Sequence, residues 1–346
     1  MIQRKYLLYI TQNYSFSILR PLQKAILARG GEVYWFSPSK RLNLSYFKKE
    51  DKILTQLNEV FDFQPDATFY PSNNAPTFLP GINVAVFHGF DAGKLDKKGN
   101  NDHFKIRNCF DLYCTQGPYL TKKFSALHKN PPQFQVSETG WCALDDLFPT
   151  SLPVNEKPTI LLCSTFSKNL TCAPHLFSTI KQLSQKGDWQ WLIQFHPKMD
   201  KKIVEMYKSI ESENLQFIDS ADINPILKRA DVMVCDTSSV LITFLLLRKP
   251  VVTFKNINPG PHLIDIDTPE LLEQSIQTAL NRPPSLLRHI DHFIAENHPY
   301  DDGLSAIRVL DAVDKYYEDK EIFAPKKLDF IRQFKVRKRL KYWKFN

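Results

Sequence analysis

Three polar clusters in this 346-residue chain have residue types that could accept a proton or hold an anion. His88-Gly89 follows Val84–Phe87, His196-Pro197-Lys198 follows Trp191–Phe195, and Asp236-Thr237-Ser238-Ser239 follows Val232–Cys235. Histidine titrates near neutral pH, which suits a general base. Gly89 permits close backbone approach or a positive φ. Pro197 restricts His196 to extended geometry. An imidazole N–H beside the Lys198 cation can then meet phosphate oxygens. Ser238 and Ser239 bring two hydroxyls and several backbone N–H groups to the start of the apolar run Val240–Leu247, an anion site at a helix N-terminus. Each cluster alone also suits a structural role: a strand-end histidine, a loop histidine with a solvated lysine, an ordinary capped helix.

The elements that must position these clusters alternate along the chain. Tyr6–Ile10, Glu32–Phe36, Ala67–Tyr70, Asn83–Phe87, Leu112–Gln116 and Gln135–Thr139 read as strands, with Ile18–Ala28 a helix between the first two. A proline-punctuated segment from Pro149 to Pro158 reads as a linker, and the pattern then restarts. Thr159–Cys163, Trp191–Phe195, Gln216–Ile218, Val232–Cys235 and Val251–Phe254 are strands; Pro174–Ser184 and Pro225–Arg229 are helices. Asp231–Phe254 forms a strand, turn, helix and strand, with Arg248 and Lys249 at the helix end and Pro250 stopping it. The expected fold class is α/β, two doubly wound Rossmann-like domains at 1–150 and 151–320, with a tail at 321–346. Ligands of such sheets bind beyond the carboxyl ends of strands, where all three clusters fall.

Composition narrows the function. Hydrophobic residues make up 43%, a globular content, and no run of about 18 apolar residues could span a membrane. The N-terminus reads as a first strand, not a signal peptide. Six cysteines show no CxxC pair, so reduced thiols of a cytosolic protein are expected, without zinc or a disulfide framework. There is no GxGxxG, GxxxxGK[ST] or GxSxG, which argues against a dinucleotide cofactor, a P-loop kinase and an elbow-type hydrolase. Asp265-Ile266-Asp267 has DxD spacing but reads as a surface strand or loop, and no metal is assigned. The net charge of +8 resides in Lys326–Lys344, where nine basic residues face one acid, Asp329; the remainder balances at 36 against 36. Cations interleaved with Phe330, Ile331, Phe334, Leu340, Trp343 and Phe345 suit an anionic membrane surface, although nucleic acid or a solvated terminus would use similar residues.

Taken together, the stretches VFHGFDAGK (86–94), FDLYCTQGPYLTKKF (110–124), ETGWCALDDLF (138–148), LLCSTFSKN (161–169), LIQFHPK (192–198), ADVMVCDTSSVLITFLLLRKPVVTF (230–254) and HPYDDGLSAIRVLDAV (298–313) resemble the CDP-glycerol glycerophosphotransferase family of teichoic-acid primases and polymerases. The resemblance implies a glycosyltransferase-B architecture, with the acceptor on the N-terminal side and the nucleotide donor on the C-terminal side. It implies His88 as base, with Gly89 and Asp91 around it, and His196 as the catalyst that binds the diphosphate. Thr165, Lys198, Asp236, Ser238, Ser239, Asp302 and Gly303 are implied on the donor side, Asp236 by shaping the turn. The implied reaction transfers glycerol phosphate, or a related polyol phosphate, from a CDP-activated donor to a hydroxyl of a lipid-linked or oligosaccharide acceptor, releasing CMP. The CDP-polyol is substrate and no cofactor is implied. Cell-envelope or capsule synthesis and a cytoplasmic, peripherally membrane-bound location follow from the same likeness, with no nucleic-acid partner. Gln194 stands where the family often has Arg, Phe87 where it has Trp, Phe90-Asp91 where it has Thr-Pro, and Thr237 where it has Tyr. Alternatives are a CMP-sialic acid or CMP-Kdo glycosyltransferase, and a non-catalytic nucleotide-binding scaffold.

Overall fold

The computed structural model describes the chain apart from residues 1–2, 40–41, 92, 94–98, 100, 129–130, 151–153, 197, 221–222, 320–322, 325–328 and 344–346. Pro197, the middle of the expected linker, and Lys326, Lys327 and Lys344 of the tail thus lie outside the described residues. Two compact units form: Met1–Gly89, Leu95–Pro149 and Asn297–Asn346 make one, and Phe90–Lys94 with Thr150–Glu296 make the other.

The first unit is built on β1 (Lys5–Tyr9), α1 (Ser15–Ala28), β2 (Glu32–Phe36), β3 (Ile53–Leu54), α2 (Leu57–Phe63), β4 (Ala67–Tyr70), β5 (Ile82–Ala85), β6 (Leu112–Thr115), α3 (Pro118–Ser125) and β7 (Gln135–Glu138). Its seven strands are parallel in the order β3-β2-β1-β4-β5-β6-β7. β4, β5 and β6 are buried at every residue, so their sequences are mostly apolar, each with a single buried polar residue (Thr68, Asn83 and Thr115), and do not alternate.

The second unit comprises β8 (Thr159–Ser164), α4 (Ala173–Lys186), β9 (Gln190–Phe195), α5 (Lys201–Lys208), β10 (Leu215–Phe217), α6 (Asn224–Arg229), β11 (Val232–Cys235), α7 (Val240–Leu245), β12 (Val251–Phe254), β13 (Ile264–Ile266), α8 (Leu272–Leu280) and α9 (Pro284–Asn297). Its strands run parallel in the order β10-β9-β8-β11-β12-β13. Both units therefore have the doubly wound α/β order that the apolar runs predict. Lys249 does not sit at the end of α7. It is buried, and its ammonium donates to the carbonyls of Leu227, Lys228 and Ala230, closing the C-terminus of α6. Burial pulls its pKa down to about 8. Arg248 instead pairs through two nitrogens with Asp291 on α9.

After α9 come α10 (Ser305–Glu318) and α11 (Phe330–Leu340). Residues 297–320, expected in the second domain, cluster with the first unit. The cause is the apolar face of α10: Val309, Leu310 and Val313 bury against Leu19, Leu22, Ile26, Val84 and Leu112. Arg4 and Arg29 pair with Asp314 and Asp311 along its flank. The tail too is fixed to this unit over its helix. Gln333 and Val336 are buried on α11, Arg337 lies 4.4 Å over the Phe78 ring, and Tyr342 stacks on Phe61 and Phe78 at 5.0 and 4.8 Å. The outer edge stays bare: Phe330 is 83% exposed, Ile331 71% and Phe334 56%.

Candidate active site

In the first sheet the strand order reverses between β1 and β4, where a crevice forms at the carboxyl ends. His88 lies three residues beyond β5 at this edge, and its imidazole is exposed. Its Nδ1 lies 3.1 Å from the carbonyl of Pro71, the residue after β4, and its ring is 6.0 Å from that of Tyr14, in the turn after β1. A carbonyl only accepts, so Nδ1 carries the proton and Nε2 keeps its lone pair in the neutral ring. Although the residue reaches solvent, partial desolvation of the ring on the side packed against Pro71 and Tyr14 lowers the His88 pKa, with Arg107 adding to the effect and the Pro71 carbonyl and Asp102 opposing it. The ring therefore stays neutral and able to accept a proton to lower pH than free histidine.

The backbone just before His88 is under tension. Phe87 is buried and has φ +57°, a left-handed conformation that bulky residues rarely adopt. The positive φ that Gly89 would permit thus falls two positions earlier, on the far side of His88. A Cβ at Gly89 would meet nothing within 4 Å, so the glycine keeps space open beside the imidazole. Asp91 departs from its expected place around the base: it belongs to the Phe90–Lys94 segment of the second unit, and its Oδ1 accepts the Gly93 N–H at 2.9 Å.

The second sheet reverses between β8 and β11, and here Asp236 occupies the crossing. Its carboxylate is fully buried and accepts from Ser164 Oγ at 2.5 Å, Thr165 N at 3.0 Å and Cys172 N at 3.0 Å. Its own carbonyl accepts from Asn256 Nδ2 at 3.1 Å. With its oxygens so engaged, Asp236 braces the loop after β8 and the start of α4 against the end of β11 and does not itself reach a ligand. Thr165 is likewise buried and enters this brace through its backbone N–H. Thr237 Oγ1 accepts the Ile257 N–H, holding the loop after β12. Ser238 and Ser239 are half-buried and exposed, but the expected hydroxyl cap is absent: Ser239 is the N-cap of α7 in helical geometry without a side-chain cap bond. The cause is local: with Ser239 already helical, its side chain does not reach back over the first turn. Asp265, on β13, accepts from Thr253 Oγ1 and Asn256 N and is a loop brace.

His196 and Lys198 stand exposed beyond β9, next to β8. The Lys198 backbone N–H donates to His196 Nδ1 at 3.0 Å. A nitrogen that accepts cannot hold the proton, so in the neutral ring the N–H is at Nε2. The His196 ring lies 4.6 Å from that of Phe166, in the loop after β8, and Lys198 Nζ is 5.5 Å from the same ring. Phe166, which the motif reading did not single out, is 45% exposed. A large aromatic at a strand's carboxyl end was the available signal. Gln194, in place of an arginine, is buried and donates to the Ser220 carbonyl at 2.9 Å.

Asp302 and Gly303, expected on the donor side, belong to the first unit. Asp302 makes two bonds to Arg308 at 2.8 and 3.0 Å, which hold its carboxyl down to about 2. Gly303 has φ +70°, and a Cβ there would lie 2.5 Å from the Phe148 carbonyl oxygen. Asp145 then accepts the Ser305 and Ala306 N–H groups that open α10. These residues form the joint that returns α10 to the first sheet. Arg308 also lies 4.1 Å over the Tyr300 ring, whose hydroxyl donates to Glu138 at 2.8 Å.

Comparison with known proteins bears on the second unit most directly. The family model described as CDP-Glycerol:Poly(glycerophosphate) glycerophosphotransferase matches residues 177–257, which include β9, His196, Asp236 and both serines. No curated protein matches the chain by sequence. Among solved structures, a Listeria monocytogenes protein assigned as a UDP-N-acetylglucosamine 2-epimerase aligns with TM-score 0.67 and 15% identity over 94% of this chain and 100% of its own. The S. aureus MnaA–UDP structure aligns at 0.62 and 15%, covering 95% and 100%. The wall teichoic acid polymerase TagF aligns at 0.63 and 16%, covering 90% and 89%. These likenesses establish the shared glycosyltransferase-B-type fold of two parallel-sheet domains. The likeness to CDP-glycerol:poly(glycerophosphate) glycerophosphotransferases is thus carried in sequence by residues 177–257, and both units share the fold of TagF.

Proposed function

We propose that the chain transfers glycerol phosphate, or a related polyol phosphate, from a CDP-activated donor to a hydroxyl of a lipid-linked or oligosaccharide acceptor in envelope polymer synthesis. The observation that carries this reading is the opposite tautomer of the two exposed imidazoles. His88 is held with an accepting Nε2, and His196 with a donating Nε2. In the proposed step the acceptor oxygen attacks the phosphorus that bears the glycerol. Its proton passes to His88 Nε2, the pyrophosphate P–O bond breaks, and CMP leaves. His196 Nε2–H, Lys198 and the Ser238 and Ser239 hydroxyls compensate the phosphate oxygens, the largest part of the work in phosphoryl transfer. Thr165 and Asp236 act by positioning these groups. The TagF structures, which include a histidine variant soaked with CDPG, support the donor class.

The membrane side of the reading rests on α11. Its bare Phe330–Ile331–Phe334 edge and flanking cations suit an anionic leaflet on the cytoplasmic side. Among the described residues no helix is long and apolar enough to cross a membrane. The deciding experiment is CMP release from CDP-glycerol with extracted lipid-linked acceptors, followed by mass spectrometry of the product. An acceptor enlarged by one glycerol phosphate per CMP is expected. A product carrying a sugar from a CMP-sugar, with CDP-glycerol inert, would overturn the reading.

A further inference from the structure

The loop that orients His88 is gripped by the last helix of the chain. Residues 71–81 join β4 to β5 without helix or strand, beginning at Pro71, whose carbonyl accepts from His88 Nδ1. Ser72 Oγ donates to the Asn74 carbonyl at 2.9 Å, tying the start of the loop to the part that α11 reaches. Arg332 Nη1 donates to Asn74 Oδ1 at 3.0 Å, and Gln333 Oε1 accepts the Thr77 N–H at 3.4 Å. Arg337 and Tyr342 both lie against the Phe78 ring. Leu340 packs on the apolar cluster that includes Tyr70 and Phe87, the residues before Pro71 and before His88.

The two sides of α11 face different surroundings. Residues three and four apart share a helix face, so Gln333, Val336, Arg337 and Leu340 look inward while Ile331, Phe334, Lys335 and Lys338 look outward. An exposed apolar edge flanked by cations, in a stretch with nine basic residues and one acid, complements an anionic bilayer. The helix has 11 residues, of which Gln333 and Val336 are buried, and a free helix of that length is marginal in water. A surface that binds the helical form on its outer face therefore also strengthens the inner grip on the loop.

We infer that α11 is a positioning element for the base, set by an anionic bilayer: the leaflet holds the helix, the helix holds residues 71–81, and the Pro71 carbonyl holds His88 with its Nε2 accepting. Arg332 and Arg337 are then positioning residues that act through this loop. Transfer is fastest where the bilayer is, because the surface that would carry a lipid-linked acceptor also orders the base. The inference rests on the proposed function for the roles of His88 and the leaflet, and its residues lie outside the family-matched segment.

The test is hydrogen exchange of the full chain with vesicles of phosphatidylglycerol or, separately, phosphatidylcholine. Nitrogen NMR of the histidine-labelled chain, above pH 6.5 where His88 is neutral, reads the tautomer. Phosphatidylglycerol is expected to slow exchange of the Thr77 amide about tenfold, the scale of one charge-assisted hydrogen bond, and phosphatidylcholine to leave it unchanged. Arg332→Leu should remove that protection and mix the His88 tautomers. Arg332→Lys, which keeps a donor for Asn74, should restore both. Phe78→Leu, which removes the ring held by Arg337 and Tyr342, should mix the tautomers by an independent route. The inference is overturned by a chain that does not bind phosphatidylglycerol, or by Thr77 exchange that is unchanged or faster on vesicles that do bind. A His88 tautomer indifferent to both Arg332→Leu and Phe78→Leu overturns it too, as does protection by an RNA duplex in place of lipid. Protection and tautomer that follow the lipid, in a chain releasing no CMP from CDP-glycerol, would sink the proposed reaction and leave the positioning role standing.

Discussion

Replacing Asp236 by asparagine keeps the side chain's size and removes its charge from a site with no solvent. The carboxylate receives Ser164 Oγ, Thr165 N and Cys172 N, the middle donor shared between both oxygens. An asparagine that keeps its oxygen toward Ser164 and Cys172 turns an NH2 group to the other side of the Thr165 N–H, which loses one of its two acceptors and keeps the other. All three bonds fall from charge-assisted to neutral strength, a loss of roughly 0.5–1.5 kcal/mol each. The sum is about 1.5–4.5 kcal/mol, located where β8, β11 and α4 meet. Alanine should cost more, since it strands all three donors and leaves a void. The assay is urea unfolding coupled to hydrogen exchange at Thr165 and Cys172, whose amides should exchange faster in Asp236→Asn. CDP-glycerol binding should weaken in step with the loosened loop. Unchanged stability with abolished donor binding would refute the reasoning, because the carboxylate would then serve the ligand and not the frame.

Three further outcomes are expected. Histidine 88 replaced by alanine should lower CMP release about 10²- to 10⁴-fold, the range of a general base, while CDP-glycerol still binds; in the unmodified enzyme the acid limb of kcat/KM should lie below pH 6.5, because the folded pKa is depressed. His298 is buried with a folded pKa near 4 against 6.5 when unfolded. The unfolded chain therefore binds more protons between these values. The stability His298 contributes is complete above pH 6.5 and is lost as pH falls toward 4, on the order of 3 kcal/mol, so His298→Gln should flatten that part of the acid unfolding curve. Finally, Phe330, Ile331 and Phe334 replaced together by serine should reduce co-sedimentation with anionic vesicles and leave binding to neutral ones as weak as before; equal binding to both lipids by the native chain would remove the membrane role.

Much of the frame could be read from residue order because parallel strands covered on both faces are predominantly apolar runs. Val232–Cys235 and Val251–Phe254 are such cases, and the clusters after the strands fall at the sheet edges for the same reason. What escaped detection depends on distant partners. Nothing local in Asp302-Gly303 says that Phe148 and Arg308 will claim them, so their place in the first unit appears only in three dimensions. Asp236 is legible as a turn residue, but its three donors come from 64 to 72 positions away. Phe87 shows the limit of residue preference: a left-handed turn suits a glycine, yet it is borne by a buried aromatic, held by its packing against Phe124 and His103. Lys249 follows one helix end in sequence but serves a different helix in space.

The return of α10 to the first sheet has a consequence for how the chain is born. Residues 150–296 leave the ribosome as a finished unit, whereas the first 149 must wait for Val309, Leu310 and Val313 before one side of their sheet is sheltered. The later-encoded half is thus the first able to mature, the reverse of the usual N-to-C progression. Until that helix arrives, the nascent first half carries an apolar face that a chaperone would recognise, and a premature stop near residue 300 would leave it permanently uncovered.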